Sequence, residues 1–349
     1  MKLFNCQACG QLLFFENVRC ENCGHALGYL PGKGEISALE PSDDGEWKSL
    51  ADETRNYRLC TNAQFAVCNW LVASDDGGEL CIACRHNRTI PDLTVAGNDA
   101  LWSRVEIAKH RLFYSLLRLE LLVVTRDEDP EHGLAFDFLA DPPQAHTEHV
   151  LTGHDNGIIT LALNEADDAV REKVRGEMGE PYRTLLGHFR HESGHYFWDR
   201  LVATDETRLA EFRNLFGDER KDYAEALKTH YAQGPPPDWR ANFVSAYAAA
   251  HPWEDFAETW AHYLHIVDTL ETAAAFGLRV KPAQAERAAK IDFDSYDTRD
   301  MAQIIDAWLP MTFAVNNLNR SMGLPDLYPF VLSPTVIEKL AFVQSVTHG

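Results

Sequence analysis

No cysteine follows Cys84, although eight stand before it. Thiol chemistry is therefore confined to the N-terminal part of the chain. Long apolar runs are also lacking. The most apolar segment, Leu112 to Val124, is interrupted by Arg118 and Glu120, which argues against a membrane span. The opening residues, Met1 to Cys6, carry no apolar stretch of the secretory kind, so an unexported, cytoplasmic protein is expected. Positive charge is scarce: 32 Lys and Arg face 53 Asp and Glu, a net charge of −21. A surface of that sign repels phosphate backbones and anionic lipid heads, so neither nucleic acid nor membrane is the expected partner. Internal repeats are absent, and the one low-complexity tract is the Pro run after Gly234.

What is present is an ordinary globular composition, 45% hydrophobic and 24% charged. A length of 349 residues suffices for one large core with a small extra domain, or for two modest domains. In a reducing cytoplasm, closely spaced cysteines point to metal ligation rather than disulfides. Cys6-Gln-Ala-Cys9-Gly and Cys20-Glu-Asn-Cys23-Gly read as the two knuckles of a zinc ribbon, each turned by a glycine in the left-handed region. Leu12 to Phe15 is the expected hairpin strand between them, and the metal would supply most of the folding free energy of so short a segment. Cys60, Cys68, Cys81 and Cys84 form a second candidate zinc site. Cys60 and Cys68 lack knuckle spacing, so burial as small apolar residues is the other reading for them.

Segments starting at Pro31 and Pro41, rich in Gly, Ser and Asp, read as linkers. From Asn98 the pattern becomes helical, with Asn98 or Asp99 as the expected cap and Leu101, Val105, Ala108, Leu112 and Leu116 on one face. Gly157 to Leu163 reads as a buried strand, positioned to border a cleft and pair with an extended substrate. Helical breaks are expected at Gly234, at Lys281-Pro282 and around Gly323 to Pro325.

The central motif is His191-Glu192-Ser193-Gly194-His195. On a helix the two histidines lie one turn apart on one face and can share a metal. Glu192 beside them can take a proton from a metal-activated water and pass it to a leaving amine. Apolar flanks, Leu185, Leu186 and Phe189 before and Tyr196, Phe197 and Trp198 after, describe a buried helix that needs a reason to carry such groups. Satisfied core histidines are the plain alternative. A third ligand is offered by the segment from His251 to Trp260. Pro252 suits a first helical turn, Glu254 suits its positive end, and Trp253, Phe256, Ala257 and Trp260 form an apolar stripe. Glu254 and Glu258, one turn apart, are placed to present one carboxylate to a metal and one to a ligand histidine. Two solvated carboxylates are the other reading.

Two histidines with a distant Glu resemble the gluzincin metallopeptidases. That resemblance implies Glu254 as the zinc ligand and Glu258 as the group that orients a ligand histidine. It also implies that Tyr247, seven residues before Glu254, stabilises an oxyanion; an ordinary core tyrosine is the alternative. Nearly end to end, the chain resembles a bacterial family of zinc-binding metallopeptidases with an N-terminal zinc ribbon. The residues that carry this are the two CxxC knuckles, Cys68-Asn-Trp, Glu180-Pro-Tyr-Arg-Thr-Leu-Leu-Gly-His-Phe-Arg-His-Glu, and His251-Pro-Trp-Glu-Asp-Phe-Ala-Glu-Thr-Trp-Ala-His-Tyr.

The resulting expectation is an α+β chain: a zinc ribbon over residues 1–34, a linker and second four-cysteine module over 35–97, and a mostly helical zincin-like metallopeptidase domain over 98–349. Three zinc ions are expected, one catalytic and two structural. Peptides or proteins would be the substrates, and the ribbon is a place for a protein partner. The rival reading is a zinc-ribbon binding module with a structural or vestigial metal at the HExxH helix. Four protein ligands there would favour the rival; an open position favours catalysis. A ribbon-based nucleic-acid binder is a third reading, disfavoured by the acidic balance.

Overall fold

The computed structural model describes residues 1–43, 45–141, 150–283 and 288–349. They form two compact units, Met1–Val174 and Arg175–Gly349.

In the first unit, β1 (Phe4–Asn5) and β2 (Leu12–Leu13) pair antiparallel on either side of the first CxxC knuckle. Phe15, expected to extend that strand, is instead a core residue whose ring meets those of Tyr29, Trp70 and Tyr114 edge-on. A five-stranded antiparallel sheet follows in sequential order: β3 (Ala26–Leu30), β4 (Glu35–Pro41), β5 (Trp47–Ser49), β6 (Asn56–Leu59) and β7 (Leu71–Ala73). The two expected linkers are hairpin turns of this sheet. Pro31 to Gly34 joins β3 to β4, with Gly34 at φ 61° and its N–H bonded to the Leu30 carbonyl at 2.8 Å. The segment after Pro41 reverses β4 into β5, closed by Ser42 N–H to the Glu46 carbonyl at 2.8 Å. Pro, Gly and Asp favour tight reversals as strongly as open linkers, so composition alone does not separate the two.

After β8 (Asn87–Thr89) comes the long helix α1 (Asn98–Arg118). Its cap is Gly97, at φ 91°, rather than Asn98 or Asp99; the Asn98 amide instead reaches back to the Asp92 carbonyl at 2.9 Å. Strands β9 (Ala135–Leu139), β10 (Gly153–Asp155) and β11 (Ile158–Ala162) join β8 in a mixed sheet ordered β10-β11-β9-β8. The strand expected near Gly157 to Leu163 is β11. It is antiparallel to β10 on one side and parallel to β9 on the other. With both edges hydrogen-bonded it has no free edge for an extended substrate, which removes that role.

Helix α2 (Asp168–Met178) spans the division between the units. The second unit contains α3 (Leu185–Leu201), α4 (Glu206–Phe216), α5 (Tyr223–Gln233) and α6 (Pro252–Ala275). A short hairpin, β12 (Arg279–Val280) and β13 (Ala289–Lys290), leads to α7 (Met301–Ser321) and α8 (Pro334–Thr347). Helix α6 is central: it packs along α3 and against α4, α7 and α8. Its apolar stripe is fully buried at Phe256, Ala257, Trp260 and Leu264, with the Phe197 and Phe256 rings stacked on Trp260. Gly234 ends α5 and Gly323 follows α7, both at positive φ. The chain is thus α+β, with its second unit mostly helical. Among the described residues no helix is long and apolar enough to cross a membrane.

Candidate metal centre

Helix α3 starts at Thr184, whose hydroxyl accepts the Gly187 N–H at 3.0 Å. Helix α6 starts at His251, whose Nδ1 accepts the Trp253 N–H at 3.1 Å, with Pro252 in the first turn. Glu254 therefore lies in that first turn, where the unpaired N–H groups favour a carboxylate. The two helices approach at Gly194. A Cβ there would stand 2.8 Å from Ala257 Cα, so the glycine inside the HExxH motif is what permits the contact.

This packing brings together side chains from both helices. His191 Nε2 is 3.0 Å and His195 Nε2 3.6 Å from Glu254 Oε2. That oxygen is buried, yet it has no hydrogen-bond partner among the described residues. Zinc bonds of about 2.0–2.1 Å would set tetrahedral edges of about 3.3 Å between such atoms, so the three donors fit a shared metal. No fourth His, Cys, Asp or Glu joins His191, His195 and Glu254 among the described residues. On its far side His191 Nδ1 meets Glu258 Oε1 at 2.7 Å, and Ser245 donates to Glu258 Oε2 at 2.6 Å. A carboxylate on Nδ1 sets the imidazole so that Nε2 faces the metal position.

Burial opposes charge on His191, but Glu254 and Glu258 outweigh it and hold its pKa well above the ordinary value. Burial likewise opposes charge on Glu254, and the two imidazoles hold its carboxyl well below the usual range. The cluster therefore favours positive charge at its centre, as a cation site must. Glu192 is buried, and burial raises its pKa against the pull of His191 and His195.

Tyr247 lies on a 3-10 turn, Tyr247–Ala249, with its ring centroid 5.9 Å from that of His191. Two neighbours escape a reading of the sequence. Tyr223, at the start of α5, donates its hydroxyl to Glu254 Oε1, and Ser245 supports Glu258. Neither has a local pattern that marks it. Burial and the Glu254 charge push the Tyr223, Tyr231 and Tyr247 phenols up, so all three remain hydrogen-bond donors. His262 is buried and His265 half-buried, and both are engaged away from the metal position. His262 Nδ1 lies 2.7 Å from the Tyr328 hydroxyl, and Arg190 donates to His265 Nδ1 at 2.6 Å. A cavity of 580 Å³ is lined by Asp222, Glu225 and His230 on one side and Ala249 and Ala250 on the other.

In the first unit all eight cysteines are free thiols. Cys6, Cys9, Cys20 and Cys23 converge, with Sγ separations of 3.6 Å for Cys6–Cys23 and for Cys9–Cys20. Gly10 and Gly24 take φ of 76° and 79°, closing both knuckles. Cys60, Cys68, Cys81 and Cys84 also converge, all buried, so Cys60 and Cys68 lie within reach of the pair despite their spacing. Bonds of about 2.3 Å to zinc imply sulfur separations of about 3.8 Å, and Cys68–Cys81 is 3.7 Å. Helix α1 adds a group the cysteine pattern does not announce: His110, beside the buried pair Glu106 and Lys109, 2.8 Å apart. Their spacing on the face shared with Trp102 and Phe113 is the signal, since ionisable residues on a buried stripe need partners.

Residues 98–346 match the family described as "putative zinc-binding metallo-peptidase", and residues 3–95 match one described as "zinc-ribbon domain". The chain belongs to that metallopeptidase family. Uncharacterized proteins of Mycobacterium tuberculosis and Mycobacterium bovis are 48% identical to it over 346 residues, covering 99% of this chain and 95% of theirs. No solved structure matches the chain.

Proposed function

We propose that the chain is a gluzincin-like zinc peptidase, with His191, His195 and Glu254 as ligands and Glu192 as general base. The observation that carries this is the convergence of His191 Nε2 and His195 Nε2 on a buried Glu254 oxygen without a hydrogen-bond donor. Zinc bound there would supply Lewis acidity, acidifying a water and polarising a carbonyl. The residues of the chain do the rest. Glu192 takes the proton of the attacking water and returns it to the leaving amine. Burial raises its pKa above the ordinary carboxylate value, which eases its return of the proton as an acid. Glu258 holds His191 in the ligating orientation. Tyr247, kept protonated by burial, is the donor for the oxyanion, and Tyr223 steadies the second oxygen of Glu254.

Three ligands without a fourth among the described residues leave a position for substrate, which supports catalysis over a closed structural site. The test uses Glu192→Gln and His191→Ala with zinc analysis and a peptide-library digest. Glu192→Gln should retain all its zinc and lose hydrolysis by about 10²–10⁴-fold. His191→Ala should lose about one zinc per chain. A His191→Ala variant with undiminished zinc and activity would refute the assignment.

A further inference from the structure

His110 contacts the second cysteine cluster closely. Its Nε2 lies 3.3 Å from Cys68 Sγ, 3.6 Å from Cys84 Sγ and 4.0 Å from Cys81 Sγ. Zinc bonds of about 2.3 Å to sulfur and about 2.0–2.1 Å to nitrogen give tetrahedral edges of about 3.5 Å. The three measured separations surround that value. Nδ1 of the same ring is 2.6 Å from the Glu106 carbonyl. A carbonyl only accepts, so Nδ1 carries a proton, and Nε2 is the ring nitrogen that faces the sulfurs. A metal ion placed between Nε2 and the sulfurs would be shared by all of them, and an Nδ1–H bonded to a backbone carbonyl is the usual posture of a metal-ligating histidine. Little of the ring meets water: His110 is 4% exposed, and the Trp70 ring packs on it at 5.1 Å. The nearby carboxylate is committed elsewhere, since Glu106 pairs with Lys109 and accepts from Trp102 and Asn87.

We propose that His110 is a ligand of the metal at this cluster, together with Cys68, Cys81 and Cys84. The centre is then closed jointly by the cysteine-rich segment and helix α1. Five donors compete for four positions. His110 contacts the other three sulfurs and not Cys60, so the proposed set of four ligands omits Cys60. Metal binding would thereby fasten α1 to the five-stranded sheet, a task four cysteines alone do not perform.

The test is cadmium-113 NMR on the full chain, with nitrogen-15 in histidine only. The expected result is a cadmium–nitrogen splitting of the His110 Nε2 signal in the wild type. Cys60→Ser should keep both the cadmium and the splitting. His110→Ala should lose the splitting and move that cadmium resonance downfield, toward the all-thiolate position of the first ribbon site. An unsplit Nε2 in the cadmium-loaded wild type would overturn the proposal, whatever the variants do.

Discussion

Glu258 joins two elements through one carboxylate: Oε1 lies 2.7 Å from His191 Nδ1 and Oε2 accepts from Ser245 at 2.6 Å. It touches no position the metal would occupy, yet it sets where His191 Nε2 points. Glu258→Ala should therefore weaken zinc binding by about 10–100-fold while leaving the three ligands in place. Competition against a chromophoric chelator would measure this. An unchanged affinity would mean that packing alone orients His191.

Gly194 marks the closest approach of α3 and α6. In Gly194→Ala the new methyl meets Ala257 Cα, a backbone atom that cannot swing aside, and the Trp260 side chain at 3.2 Å. The helices must part, at a cost of about 1–3 kcal/mol. Since the ligands come from both helices, zinc affinity should fall with stability. Thermal unfolding and zinc titration of the same variant would show the two losses together.

Lys339 and Asp255 form a buried ion pair, 2.6 Å apart and both essentially inaccessible. Lys339 also donates to the Asn242 carbonyl at 2.7 Å. Burial already pushes the Asp255 carboxyl up to about 7 against the pull of Lys339, so Lys339→Met leaves an uncompensated charge only above that pH, where unfolding in denaturant should reveal a loss of about 3–5 kcal/mol. Adding Asp255→Leu should restore part of that loss, because the uncompensated charge goes with it.

Burial pushes His262 down to about 4, well below an ordinary histidine. Its imidazole is neutral in the folded chain and gains a proton on unfolding. The unfolded state therefore binds more protons in this range, and stability falls as pH drops from about 6.5 toward 4. Replacing the imidazole by a group that does not titrate, His262→Gln, should flatten that part of the pH–stability curve. Denaturant melts of both proteins across the interval would read the difference directly.

The parts of the molecule readable without the fold are those whose chemistry is local. His191 and His195 share a face because four residues make about one helical turn, and Cys6 and Cys9 share a knuckle because Gly10 supplies the turn. Pro252 and Glu254 announce a helix start for the same reason. The Pro31 and Pro41 segments read as linkers and are hairpin turns, because the same turn residues serve both. Asn98 and Asp99 made plausible caps by type, yet Gly97 took the position through its positive φ.

Local sequence sets the kinds of donor, their spacing within single turns, and the confinement of every thiol to the first 84 residues. The fold alone brings Glu254 to within 3.0 Å of His191 Nε2 and 3.6 Å of His195 Nε2, sets Tyr223 on Glu254 and Ser245 on Glu258, and turns His110 toward the second cysteine cluster. Metal ligation requires atoms from distant segments to converge within a few ångströms. That convergence is set by how helices pack, through contacts such as Gly194 against Ala257, and no local pattern of residues encodes it.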